Sequence, residues 1–180
     1  MLASLWLPMA LSAVAVFVLS FLSWMVVGLH AHDWRKLANE DGLLSALSSL
    51  GITPGNYMFP GADSPAEMNS EAYRQKWDVG PRGVMTVYGS VHMGRNLGLT
   101  FLYFLAVSFC LAYLATLALP AGAGFLPVFR FVSTAAFLIY AGAIVQHAIW
   151  FHCRVVGHVL ESLAYAATTG AIFGLLWPSA

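Results

Sequence analysis

Six histidines give this chain its chemistry, and their placement is uneven. His30 and His32 stand in HAHD with Asp33. His92 precedes MGRN. His147, His152 and His158 share the stretch QHAIWFHCRVVGH with Cys153, and Glu161 follows one helical turn after His158. Imidazole nitrogens with a carboxylate oxygen make a donor set for zinc, iron or copper, and a thiolate would shift it toward softer ions. His147, His158, Glu161, His152, Cys153, His30, His32 and His92 are therefore the candidate metal ligands, with zinc, copper or haem iron as the ions concerned. No HExxH, CxxC or paired CxxC is present. The competing reading needs no cofactor, because histidine also belongs at the wet boundary of a membrane. No nucleophile–base set, Gly-rich phosphate loop or nucleotide motif appears, so no catalytic residue is assigned.

The elements that position these residues follow from composition. The chain has 180 residues, 59% hydrophobic and 9% charged, with mean hydropathy +0.75. Soluble domains carry about 25% charge, so part of this chain's solvent is lipid. Net charge is zero, which gives no electrostatic basis for nucleic-acid binding. Cys110 and Cys153 fall at different depths, one within a span and one at a surface, which argues against a disulfide.

A crossing takes roughly 20 mainly apolar residues. Four windows qualify, at about 5–28, 96–119, 126–151 and 156–177. The first lacks a basic leading segment and is too long for the apolar part of a signal peptide, so it reads as a retained span. The last two lie nearly end to end, so the chain must reverse near His152 to Gly157. The predicted fold is an all-α membrane protein, a four-transmembrane-helix bundle with an extramembrane loop of about 65 residues, 31–94, between the first two spans.

All six histidines then fall on one face, with His147 and His158 at similar depth across the last hairpin. Gln146, His147 and His158 are the expected partners of Glu161, the one acid inside a span. Such a residue is a functional candidate by default, though it also suits an interhelical bond. Arg35, Lys36, Arg82, Arg95 and Arg154 share that face, and only Arg130 lies near the other. By the positive-inside rule the loop is cytoplasmic and both termini lie outside. Trp6 and Trp177 would form the outer aromatic belt, Trp24 and Trp150 the inner one. Small residues at four-residue spacing, Ala166, Gly170 and Gly174 in the last span and Ser108, Ala112 and Thr116 in the second, mark close-packing seams within the bundle or between copies.

The loop carries structure of its own. Leu43, Leu44, Leu47 and Leu50 fall on one helical face that Gly51 would end. Ser64-Pro-Ala-Glu67 is a helix start that predicts a helix to about Lys76. The segment 51–65 reads as turns, and 83–89 as a short strand or extended segment. The Leu face with Tyr57, Met58, Phe59 and Trp77 needs a cover, either the membrane surface or a partner protein.

In order along the chain, HAHDWRKLANEDGLLSAL, GITPGNYMFP, MGRNLGLTF, FRFVSTAAFLIY, AIWF and GLLWP resemble a group of small four-span bacterial inner-membrane proteins. The resemblance covers most of the chain. It implies a multi-pass bacterial inner-membrane protein and brings no activity or site residue with it. Three functional expectations stand together. One is a non-enzymatic accessory or structural subunit of a larger membrane complex or homo-oligomer. Another is a metal- or haem-binding redox protein using the histidine face. The last is a small transporter or channel.

Overall fold

The computed structural model describes every residue except His152, a candidate ligand that therefore lies outside the described residues. The chain divides into two units, Met1–Arg35 with Met93–Ala180, and Lys36–His92.

The first unit is a bundle of four helices: α1 (Trp6–Phe21), α5 (Met93–Ala118), α6 (Phe125–Phe151) and α7 (Val156–Leu175). The labels α2 to α4 belong to the second unit. A short 3₁₀ turn, Leu2–Leu5, leads into α1, and a wider π-type turn, Leu22–Val26, ends it. Among the described residues, three segments are long and apolar enough to cross a membrane: Leu2–Val26, Met93–Ala118 and Phe125–Phe151. The protein thus carries three candidate spans of a multi-pass membrane protein. α5 starts three residues before the expected boundary, and the first segment ends two residues early at its π turn.

Contacts run α1 to α5, α5 to α6, α6 to α7 and α7 back to α1, so the bundle closes as a ring. Leu5, Leu111, Ala115, Val128, Val132 and Phe173 are fully buried at its centre. One end holds both termini and the α5–α6 turn. There Trp177 Nε1 donates to Pro120 O at 2.9 Å, and Gly122 N to Pro178 O at 2.8 Å. The opposite end holds the exit of α1, the start of α5 and the α6–α7 turn.

The seam expected in the last span lies inside the chain. A Cβ on Gly170 would stand 2.9 Å from Ser133 Cβ and 3.0 Å from Phe129 O. One on Gly174 would press into the Phe125 ring and stand 3.2 Å from Phe125 O. These glycines let α7 approach α6 almost backbone to side chain. Ser108 and Ala112 of the other seam are buried too. Both cysteines are free.

The second unit is small and mixed. α2 (Glu40–Ser49) starts where Asn39 Oδ1 accepts from Gly42 N at 3.0 Å, and it stops at Gly51, whose φ of +63 suits glycine. The predicted helix from Ser64 begins as expected, with Glu67 N donating to Ser64 Oγ and Asp63 N to Glu67 Oε2. It does not run through to Lys76. It breaks into α3 (Pro65–Met68) and α4 (Glu71–Val79), because Ser70 caps a new start by accepting from Tyr73 N at 3.2 Å. The segment read as turns contains strand β1 (Gly55–Phe59), which pairs antiparallel with β2 (Gly83–Val87). Thr86 Oγ1 donates to Asn56 Oδ1 across this pair at 2.8 Å. No residue of Lys36–His92 is buried, and Leu44 and Leu50 of the Leu face stay exposed.

Overpacking a filled interior destabilises by about 1–3 kcal/mol. Gly170→Ile should lower the thermal unfolding midpoint of the detergent-solubilised protein. Gly98→Ile, at a glycine with nothing within 4 Å of its Cβ direction, should leave it nearly unchanged.

Candidate metal centre

The site is built where α1 gives out. Gly28 takes φ +66, a left-handed conformation that turns the chain back over the helix end. Leu29 N donates to Ser23 O at 3.1 Å, and Ala31 N to Gly28 O at 3.0 Å. This fold-back lays His30 against the start of α7. The Trp24 ring stacks on the His30 ring with centroids 4.1 Å apart and planes 16° from parallel. His30 is 3% exposed. A Cβ at Gly157 would stand 3.1 Å from Leu29 O and 3.2 Å from His30 Cε1, so a larger residue there would press on the ring's edge. Arg154 Nη1 donates to His32 O at 3.2 Å and holds the same turn.

Each nitrogen of His30 meets a carboxylate. Nδ1 is 2.7 Å from Asp33 Oδ2, and Nε2 is 3.3 Å from Glu161 Oε2. The His158 ring lies beside it at a centroid distance of 4.4 Å, with Nε2 3.8 Å from Asp33 Oδ2. Tyr165, one turn beyond Glu161 on α7, donates its hydroxyl to Glu161 Oε1. One oxygen of the carboxylate, Oε1, is thus pinned, and the other, Oε2, faces His30. His158, Glu161 and Tyr165 fall at spacings of three and four, one face of α7.

Proton counting makes the arrangement informative. A neutral imidazole has one N–H and one lone pair. The shorter contact, to Asp33, takes the N–H. The lone pair at Nε2 then faces a carboxylate oxygen, which is repulsive unless a proton or a metal ion lies between them. Ligand atoms of His30, His158 and Glu161 all lie within 4.8 Å of one another. Two ligands at roughly 2.0–2.1 Å on a tetrahedral ion stand about 3.3 Å apart, matching the spacing from His30 Nε2 to Glu161 Oε2.

Of the residues singled out in the sequence, these three come together. His147 does not join them: it sits on the exposed side of α6 with its ring stacked on Phe151, 4.5 Å away. Equal depth across the hairpin put it beside His158, but its direction around the helix turns it away. Glu161 accordingly finds Tyr165 and His30 rather than Gln146 and His147. His32 and His92 are exposed and outside the group, and Cys153 is half-buried outside it. Trp24 and Tyr165 were not foreseen as site residues. HAHD carried the signal for Asp33, and the stripe His158, Glu161, Tyr165 carried one for the tyrosine.

Histidine carbethoxylation read by mass spectrometry checks this geometry. In protein stripped of bound metal with chelator, His32 and His158 should react readily, while His30 reacts slowly. Trp24→Ala, which uncovers one face of the His30 ring, should bring His30 up to the rate of His158.

Comparison of the chain with protein-family models, with curated proteins and with solved structures finds no match in any of the three.

Proposed function

We propose that this chain is a four-span membrane protein whose working part is a divalent transition-metal centre ligated by His30, His158 and Glu161. The observation that carries the reading is the oriented pair: His30 Nε2 and Glu161 Oε2 aimed at each other, with Asp33 and Tyr165 holding their far sides. Metal-bound histidines almost always give their other nitrogen to a carboxylate or carbonyl, and ligating carboxylates are likewise hydrogen-bonded. Binding an ion would draw His158 inward to complete the set. Nitrogen and carboxylate donors without a thiolate suit zinc or iron better than copper(I). Of the three functional expectations, the metal-binding one gains this support. The accessory-subunit and transporter readings draw on no comparable feature.

In this reading α7 is the fourth crossing. It has 20 residues and packs in the ring, and its polar residues, His158 and Glu161, cluster near one end. The resemblance to small bacterial inner-membrane proteins supports that membrane as the location. Arg35, Arg95 and Arg154 gather at the metal end of the bundle, which supports a cytoplasmic face there and termini outside.

Purified in detergent without chelator or histidine tag, the protein should carry near-stoichiometric zinc or iron by mass spectrometry. His30→Ala, His158→Ala and Glu161→Gln should each lose most of it, while His32→Ala and His147→Ala keep it. Gly157→Val, which removes no ligand, should also lose metal by displacing His30. Acidification should release the ion, since histidine must shed its proton to ligate. Metal-free protein at neutral pH would end the reading. For the threading, a phosphatase fused after Ala180 should be active and a fluorescent protein fused there dark; the reverse result would invert it.

A further inference from the structure

We propose that the centre is an open one: three protein ligands leave a coordination position for an exchangeable oxygen-donor ligand, water at rest, approached across His158 and Asp33. This rests on the metal reading above and adds what that reading leaves unsaid, whether the ion staples the fold or meets a substrate. Structural zinc sites close their shell with four protein ligands, whereas catalytic ones keep three and a water.

The donor count favours the second. Among the described residues only His30, His158 and Glu161 form the group. Asp33 is the nearest further carboxylate, and its Oδ2 is engaged with His30 Nδ1 at 2.7 Å. Tyr165 is engaged with Oε1 of Glu161. Both act on ligands rather than on the ion.

Shielding is one-sided. The Trp24 ring covers one face of His30, and the backbone at Leu29 and Gly157 packs beside it. Below Glu161 the bundle is filled by Tyr165, Phe104 and Tyr140, whose rings pack edge to face. The remaining approach crosses the His158 side chain, 26% exposed, and that of Asp33, 15% exposed, against 1% for His30. That side belongs to the end of the bundle rather than to its middle, so the ligand is one that arrives from water.

Charge sets the ligand class. A divalent ion with the Glu161 and Asp33 carboxylates and two neutral imidazoles would sum to zero, so the open position can take a neutral or an anionic ligand. A water would satisfy it, and a divalent ion held there would make that water more acidic than in bulk. Asp33 Oδ1 makes no hydrogen bond among the described residues and is free to accept one from such a water. The substrate class that exchanges with it is a small polar molecule bearing a carbonyl, carboxylate or hydroxyl oxygen.

Cobalt(II) with azide tests this on the full-length protein in detergent, stripped with chelator and dialysed. Cobalt should bind one per chain with the visible ligand-field absorption of low coordination number, and azide should shift that absorption saturably. Asp33→Asn should weaken cobalt binding about 10–100-fold while keeping the band shape and its response to azide. Stoichiometric cobalt with a spectrum indifferent to azide means a closed shell and overturns the proposal, leaving a structural metal. A changed coordination number in Asp33→Asn makes Asp33 a ligand and also overturns it. Failure of cobalt to bind at all removes the metal reading together with this one.

Discussion

An imidazole ring held between two carboxylates sets a condition that the surrounding structure has to meet. His30 offers one proton and one lone pair, and an acidic oxygen waits at each nitrogen. In water such a cluster would relax by rotation and solvation. At 3% exposure it cannot, and buried charge without a partner is strongly disfavoured. A proton at Nε2 resolves the conflict, as would the metal ion of the proposed function. The features around it act to keep the ring from turning away: an indole on one face, a glycine against its edge, a left-handed residue that starts the fold-back, and an arginine on the turn that follows.

One helix serves both packing and chemistry. α7 presents Gly170 and Gly174 to α6, where bulk is not tolerated, and His158, Glu161 and Tyr165 to the end of α1. Because the glycines fix how α7 seats on α6, they also fix where its polar face points. Ligating atoms must be held to within about 0.5 Å of working geometry, and a close, glycine-mediated seat is a stiff way to achieve that. The site thus inherits its precision from a seam roughly two and a half to four and a half turns away along the same helix.

Hydropathy made the long apolar segments legible, since about 20 apolar residues in a row have few soluble alternatives. Helix starts in the second unit were legible from Asn39 and Ser64, because a cap is a local event. The break at Ser70 was not, since a second cap inside a predicted helix competes on equal terms with continuation. Strand β1 hid in TPGNYMFPG, where proline and glycine on both sides read as turn and the pairing partner lies about 30 residues on. For the site, the sequence indicated which end of the bundle gathers histidines. It did not indicate their direction around each helix, and so favoured His147 over His30. His30 lies beyond the last regular turn, where periodicity says nothing about direction. Trp24 read as an interface anchor and Tyr165 as part of an apolar span, because an aromatic in a membrane helix carries no mark of whether its partner is lipid or ligand.

His30 and Glu161 are 131 residues apart. During synthesis the turn carrying His30 and Asp33 is made long before α7 leaves the ribosome, and until then it has no partner. The joint between α1 and α7 is also the one that closes the helical ring. In the proposed reading, coordination depends on a completed chain, because the turn carrying His30 and Asp33 stays uncovered until α7 has joined α1.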